Sequence, residues 1–252
     1  MEGKFPREAV LENILYVKQK IKDSAEAAGR SAQDVVLLAA TKTVDADTIN
    51  FAIDNGINCI GENRVQELLE KYDLINKNGV DIHFIGRLQT NKVKYICDKV
   101  SLIHSVDSVK LAKEIDRQSA KIGKVMNVLV EVNIGCEESK GGISPDYLEE
   151  FLDQLSVFKN IKVKGLMCIP PKCDNTEFSS NEGQNVESTK KSYKNQEFFR
   201  KIMKLFLDIS QKKLDNIDMQ VLSMGMSDDY EQAVIEGSTL VRVGRGLFGS
   251  RN

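Results

Sequence analysis

The sequence has no tryptophan, only two histidines and five cysteines in 252 residues, and these shortages narrow the kinds of site it can build. Two histidines, His83 and His104, are too few and too scattered for a convincing zinc site. The cysteines are odd in number and lack a Cys-x-x-Cys spacing, so reduced thiols are expected rather than a disulfide scaffold. No apolar run has transmembrane length, and the charged start of the chain lacks a secretory signal pattern. We therefore expect a cytoplasmic protein that binds no metal and no membrane.

A strong charge of one sign is also missing, because 35 basic and 37 acidic residues leave a net charge of −2. No overall field would attract nucleic acid. The hydrophobic content of 41% is enough for one substantial core, and α/β barrels often use this length as one domain. We expect residues 1–252 to form one domain and a monomer, with a small molecule as partner.

Apolar runs of strand length recur along the chain and alternate with helical patterns. The predicted strands are 35–41, 57–61, 81–86, 100–106, 126–134, 161–169, 219–224 and 239–243. The predicted helices are an opening segment at 7–28 that stops at Gly29, then 46–54, 63–77, 89–97, 108–121, 145–157, 195–213 and 228–236. Several strands are almost wholly apolar, which is typical of parallel strands covered on both faces. The pattern predicts an α/β fold, a (β/α)8 TIM-type barrel with an extra N-terminal helix.

Two segments bear on this fold prediction. A doubly wound parallel sheet is the structural alternative, but it usually carries a glycine-rich fingerprint after its first strand, and 41–45 contains no glycine. The segment 172–195 is rich in Asn, Ser, Glu and Lys and almost lacks aliphatic residues. Such a composition cannot bury a core, so it predicts a disordered insert between the sixth strand and its helix.

Lys42 ends the first apolar strand, at the end of the barrel where active sites lie. Burial there lowers the pKa of an ammonium group and frees the amine for Schiff-base chemistry. The last strand ends in Arg242 and the turn of Gly244 and Gly246, whose exposed backbone suits a phosphate. Strand alternation places Arg242 and Gly244 on the same side. Together these features predict an aldehyde cofactor that carries a phosphate.

Each of these residues also has a simpler interpretation, which the sequence leaves open. A lysine that leaves a barrel reaches water without any chemistry. Arg242 also fits a salt bridge to a nearby carboxylate. The turn of Gly244 and Gly246 also fits tight strand-to-helix geometry without a ligand.

The segment 223–229, after the seventh predicted strand, is a second candidate for phosphate binding. Ser223 lies at the predicted strand tip, and the loops after the seventh and eighth strands of barrels often hold phosphate. We interpret Ser227 as the N-cap of the next helix, where Asp228 and Asp229 favour the helix dipole.

Six segments together resemble the pyridoxal phosphate homeostasis proteins, the single-barrel relatives of the N-terminal domain of alanine racemase and of ornithine decarboxylase. These segments are Ala40-Thr41-Lys42-Thr43, Gly61-Glu62-Asn63-Arg64-Val65-Gln66-Glu67, 83–92, 165–170, 223–229 and Val241-Arg242-Val243-Gly244. The resemblance extends over about residues 10–250. The insert at 172–195 departs from the short connection that is usual in the family.

The resemblance implies a role for each residue of the predicted site. Lys42 would be the catalytic residue, holding pyridoxal 5′-phosphate (PLP) as an internal aldimine, which is a Schiff base. Ser223, Gly244 and the backbone of Arg245 would surround the phosphate.

Three further residues would contact the cofactor ring. Arg242 would face the pyridine nitrogen, as the corresponding arginine does in bacterial alanine racemase. Asn63 and Met226 would line the ring pocket. We interpret His83 as a packed core histidine, because it lies on a predicted strand.

The function that the resemblance implies is intracellular cofactor homeostasis, in which the protein holds PLP and delivers it to apoenzymes that require it. Robust catalysis is not expected, because a permanent cation such as Arg242 disfavours protonation of the pyridine nitrogen and weakens the ring as an electron sink. The chain ends shortly after the last strand, so we do not expect the further domain that supplies the second acid–base group of a racemase. The alternatives are a small PLP-dependent racemase or decarboxylase and a Schiff-base aldolase that acts without cofactor.

Overall fold

Eight parallel strands close into a barrel, in which they follow one another in sequence order. The structure, a computed structural model, describes residues 6–137, 141–171, 184–212 and 214–249. The strands are β1 (Val36–Ala40), β2 (Cys59–Glu62), β3 (Asp81–Phe84), β4 (Leu102–Val106), β5 (Met126–Val132), β6 (Ile161–Cys168), β7 (Ile217–Met226) and β8 (Leu240–Val243). β1 pairs with both β2 and β8, which closes the barrel and confirms the predicted fold against the doubly wound alternative.

Helices surround the barrel and connect its strands. They are α1 (Arg7–Ala27), α2 (Ala46–Asp54), α3 (Val65–Tyr72), α4 (Val109–Lys121), α5 (Leu148–Leu155), α6 (Gln184–Ser210), α7 (Tyr230–Ile235) and α8 (Arg245–Phe248). The 3₁₀ helices are Ala32–Asp34, Thr90–Tyr95 and Pro145–Tyr147. The predicted helix at 89–97 is therefore a 3₁₀ helix, and the short α8 was not predicted.

The predicted N-terminal helix is present and ends where the sequence indicates. Its buried residues Val10, Ile14, Val17 and Ile21 recur every three or four positions and form one apolar face. Gly29 has a φ of 69°, which lets the amides of Gly29 and Arg30 turn back to carbonyls of the last helical turn. This glycine stop confirms the predicted end of α1.

The predicted insert at 172–195 needs a correction. Residues 172–183 lie outside the described residues, but α6 begins at Gln184, so 184–195 is helical rather than irregular. Further along α6, Phe199 and Ile202 are fully buried and anchor the helix to the barrel. Extending an anchored helix adds one hydrogen bond per residue without a new nucleation cost, and Gln, Glu and Lys are good helix formers.

The apolar core lies mainly between the strands and the helices. Residues such as Ile60, Ile103, Val128 and Val241 point outward from the barrel and belong to one large buried cluster. The interior of the barrel contains two much smaller apolar clusters, one around Leu38 and one around Leu102, Leu129 and Met167. Within the described ranges, no helix combines the length and the apolar character that crossing a bilayer requires.

Candidate functional site

Lys42 lies two residues beyond β1, at the carboxyl-terminal mouth of the barrel, and its side chain is half-buried. β1 pairs with β8, and in this pairing Leu38 lies opposite Arg242. The same register brings Gly244 beside Ala40, and a Cβ added to Gly244 would lie 3.3 Å from the Ala40 carbonyl oxygen. The lysine loop and the glycine turn are therefore neighbours at the mouth.

A buried polar network beneath this loop fixes where the loop leaves β1. The Lys71 ammonium group donates to the Thr41 carbonyl at 3.0 Å and to Glu62 Oε1 at 2.9 Å. The Thr41 hydroxyl donates to the same Glu62 oxygen at 2.8 Å. Burial raises the pKa of the Glu62 carboxyl, and the Lys71 charge opposes this rise. The network ties the residue before Lys42 to β2 and α3.

Thr43, on the other side of Lys42, has a left-handed backbone conformation. Its φ of 66° is uncommon for a β-branched residue and costs conformational energy. The Thr43 amide donates to Glu67 Oε2 at 3.0 Å, so α3 holds the strained residue in place. Lys42 is therefore presented from a loop that is fixed at both neighbouring residues.

Asn63 follows β2 and occupies the position next to the lysine loop. Ala40 pairs with Gly61, so Lys42 and Asn63 each lie two residues beyond this pair on adjacent strands. The Asn63 Oδ1 atom is buried and has no hydrogen-bond partner among the described residues. A buried acceptor left unpaired costs about 1–3 kcal/mol, so this atom is suited to a donor from a ligand. Gly86 leaves room for the Asn63 backbone, because a Cβ there would lie 2.0 Å from the Asn63 carbonyl oxygen.

The turn after β8 brings two backbone amides together at the mouth. The amides of Gly244 and Gly246 both donate to Ser227 Oγ, at 3.3 and 3.1 Å. Two amides that converge on one oxygen atom are the kind of arrangement that binds a phosphate oxygen. The exposed Arg245 side chain forms a salt bridge of 2.6 Å with Asp228. Arg245 thus contributes its backbone to the turn and directs its side chain to another partner.

Arg242 lies inside the barrel below this turn and is 5% exposed. Its Nη1 donates to the carbonyl oxygen and the hydroxyl of Ser223, at 2.8 and 2.6 Å, and its Nη2 donates to the Cys168 carbonyl at 2.9 Å. These partners, as far as the described residues show, are neutral oxygens rather than the carboxylate of a salt bridge. Burial lowers the pKa of Arg242, while the Asp229 and Glu131 carboxylates favour its charged form.

Ser223, which was predicted to contact a phosphate, does not lie beside the glycine turn. It pairs with Leu240, which lies four residues before Gly244, or roughly 13 Å along the strand. The Ser223 side chain is fully buried and its hydroxyl is bonded to Arg242 and His104. The structure therefore brings Ser227, rather than Ser223, to the glycine turn.

A register irregularity in β7 explains the difference between these two serines. Ser223 pairs with Leu240 but Met226 pairs with Arg242, so β7 contains one extra residue between the two pairs. Gly225, with a φ of 92°, lies in this stretch, and a Cβ there would clash with Ala233 at 2.5 Å. Strand alternation counted from Ser223 is therefore lost before the end of β7.

Met226 and Ser227 follow the irregularity and lie near the mouth. Met226 pairs with Arg242 and is 38% exposed, a place consistent with lining a pocket. The interpretation of Ser227 as a helix N-cap was wrong, because α7 begins at Tyr230 and follows Asp229. The Asp229 carboxylate instead accepts from the Met226 amide at 2.7 Å and holds the loop.

Two functional candidates in the barrel interior were not predicted as site residues. His104 is fully buried between Ser223 and His83, at 3.1 and 3.0 Å. Glu131 faces the interior from β5, where burial and the Asp107 carboxylate raise its pKa. Both residues alternate with outward apolar residues on their strands. This alternation in the sequence could have indicated that they face the barrel interior.

The fold and this mouth define a class of protein, a (β/α)8 barrel with a lysine beside a glycine turn. The alanine racemase N-terminal domain family matches residues 17–252, and the chain belongs to this family. Two of its curated relatives are each named pyridoxal phosphate homeostasis protein. That of Aquifex aeolicus is 42% identical over 95% of this chain and 97% of its own length. That of Escherichia coli K12 is 33% identical over 96% of this chain and 97% of its own length.

Solved structures show the same architecture. PipY of Synechococcus elongatus, in a structure with PLP bound, is 29% identical with a TM-score of 0.75, covering 95% of this chain and all of PipY. A protein of Bifidobacterium adolescentis described as unknown is 33% identical with a TM-score of 0.83, covering 96% of this chain and 95% of its own. Alanine racemase of Streptomyces lavendulae shares the fold, at 13% identity and a TM-score of 0.68, over 98% of this chain and 58% of the racemase.

Proposed function

We propose that this protein binds PLP at the mouth of its barrel and acts in cofactor homeostasis. The observation that carries the proposal is the pairing of β1 with β8, which sets Lys42 beside the turn of Gly244. The names of relatives that are 33–42% identical and the PLP-bound structure of PipY support it. When bound, PLP supplies a reactive aldehyde on an electron-withdrawing ring.

The residues at the mouth fit this cofactor in both charge and shape. Lys42 supplies the amine that condenses with an aldehyde. The amides of Gly244 and Gly246, which converge on Ser227 Oγ, offer a cradle for phosphate oxygens, and the Ser227 hydroxyl adds a third polar group. The unpartnered Asn63 Oδ1 offers an acceptor to a hydroxyl on the ring. Met226 provides an exposed apolar surface beside Arg242.

Arg242 gives the site a bias towards holding its ligand rather than transforming it. A guanidinium group has donors and no acceptor, so it disfavours a proton on a ring nitrogen placed against it. Its partners below, Ser223 and Cys168, fix the guanidinium in one place. A weakly activated ring that is reversibly held suits storage of the cofactor and its transfer to apoenzymes. We propose that the protein does so in the cytoplasm as a monomer.

Capture of PLP by the purified protein tests this proposal. We expect the wild type to develop visible imine absorbance and, after borohydride reduction, to carry a pyridoxyl group on the Lys42 peptide. Lys42→Ala abolishes both signals, because it removes the amine that the loop after β1 carries at the mouth. The matched control is Lys94→Ala, an exposed lysine on the Thr90–Tyr95 helix, which retains the wild-type absorbance. Wild-type protein that stays colourless, or a pyridoxyl group that maps mainly to other lysines, would refute the proposal.

A further inference from the structure

Five side chains are connected end to end along the barrel axis, from the proposed cofactor site downward. Arg242 Nη1 lies 2.6 Å from Ser223 Oγ, which lies 3.1 Å from His104 Nδ1. His104 Nε2 lies 3.0 Å from His83 Nδ1, and the His83 ring contacts Cys59 Sγ at 3.7 Å. We refer to Arg242, Ser223, His104 and His83 as the axial chain.

Arg242 determines which group donates and which accepts in each hydrogen bond of the axial chain. Because a guanidinium group cannot accept, Ser223 Oγ must accept from Arg242 and can donate its own proton to His104 Nδ1. His104 then carries its proton on Nε2 and donates it to His83 Nδ1. If His104 instead carried its proton on Nδ1 and donated it to Ser223, the Ser223 hydroxyl would accept from both Arg242 and His104. The hydroxyl proton would then have no acceptor in the chain.

The groups around the two imidazoles keep both of them neutral, which this pattern requires. Burial lowers the pKa of His83 to about 4, and Asp81 opposes the shift. Burial lowers the pKa of His104 well below its ordinary value, and the Arg242 charge, like that of a protonated His83, acts in the same direction. Each neutral ring has one donor and one acceptor, as a directed chain needs.

The axial chain passes through the barrel interior and reaches the amino-terminal end of the strands. Leu102, Leu129 and Met167 form an apolar cluster in the interior beside it. At the amino-terminal end of the strands, His83 and Cys59 line an open cavity of about 400 Å³. Solvent therefore meets the chain at His83, while the end at Arg242 lies beneath the proposed cofactor site.

We propose that Ser223, His104 and His83 are positioning residues, which hold the Arg242 guanidinium in one orientation below the cofactor site through a hydrogen-bonded chain of fixed direction. The effect on the cofactor rests on the proposed function, but the chain itself does not. The test therefore has one arm without PLP and one arm with it.

The first arm is nitrogen NMR of the PLP-free protein with labelled histidine. The sequence has two histidines, so the spectrum contains two imidazoles. We expect a scalar coupling across the hydrogen bond between His104 Nε2 and His83 Nδ1, with the proton of each ring on Nε2 at neutral pH. Ser223→Ala shifts the His104 Nδ1 resonance, and Ser24→Ala, a buried serine on α1, leaves both rings unchanged. Absence of the coupling, a His104 proton on Nδ1, or a ring that titrates near its ordinary pKa of about 6.5 would overturn the proposal.

The second arm is a spectroscopic titration with PLP. Ser223→Ala removes the hydroxyl that accepts from Arg242 Nη1 and keeps the carbonyl contact. We expect about tenfold weaker binding, the size of one hydrogen bond to a charged group. Ser223→Thr keeps the hydroxyl and restores the affinity to near that of the wild type. Equal affinity of Ser223→Ala and wild type would overturn the positioning role. A wild type that does not bind PLP would refute the proposed function alone, since the first arm would still report the axial chain.

Discussion

The two faces of the same strands differ in what they bury. On β4, Ile103 points outward into the large apolar cluster, whereas its neighbour His104 points inward and is bonded to polar partners. On β8, Val241 points outward and Arg242 inward in the same manner. The outer face therefore supplies most of the burial that stabilises the barrel, and the inner face holds buried polar groups such as His104 and Arg242.

The largest expected effect is a loss of stability when a side chain on the outer face of the strands is truncated. Ile103→Ala removes a fully buried outward side chain, and we expect the free energy of unfolding to fall by about 2–5 kcal/mol. Urea unfolding of the PLP-free protein measures this loss. Since Ile103 does not face the mouth, PLP affinity in the absence of urea stays within about twofold of the wild type, which is under about 0.5 kcal/mol. If PLP affinity fell by as much free energy as the stability did, the outer and inner faces would not have separate roles.

A smaller effect should appear in how stability depends on pH. The folded-state pKa of His83 is about 4, below the ordinary value of 6.5, so unfolded chains bind the additional proton between these values. Stability should therefore fall as pH drops from 6.5 towards 4, with His83 contributing about 1.4 kcal/mol per pH unit. Urea unfolding at several pH values checks this slope. His83→Gln, which removes the titrating group, gives a flatter profile, and parallel profiles for the two proteins would contradict the prediction.

The smallest expected effect concerns the strained residue next to Lys42. Thr43→Gly relieves the left-handed backbone at φ 66°, which costs an L-residue about 1–2 kcal/mol, but adds about 0.5–1 kcal/mol of unfolded-state entropy. We expect a net gain in stability of up to about 1 kcal/mol, measured by thermal unfolding without PLP. Thr90→Gly, at the start of a 3₁₀ helix, has no such strain to relieve and should destabilise the protein. A loss of stability in Thr43→Gly would show that the φ of Thr43 carries no strain.

The parts that sequence analysis predicted are those that depend on local composition. The eight strands were found because each is a short apolar run, and each lies within a few residues of its predicted position. Lys42 and Gly244 were placed at one mouth because all parallel strands of a barrel end on the same side. These inferences need only strand direction and sequence position.

The parts that were missed depend on register and on neighbours distant in sequence. The extra residue in β7 moved Ser223 below the mouth and brought Ser227 to the turn of Gly244. His83 was interpreted as a packed core residue, and it is buried, but its bond to His104 depends on the stagger of β3 and β4. The start of α6 at Gln184 depended on packing further along the helix, which local composition does not report.

The sequence by itself determined the barrel, the N-terminal helix and the presence of an amine and a glycine turn at the strand ends. Those features follow from the spacing of apolar residues and from the chemistry of single side chains. Only the tertiary structure decided which serine meets the turn and that Arg242, Ser223, His104 and His83 form one chain. Such contacts depend on the relative stagger of strands, where a shift of one residue reverses the side to which a side chain points.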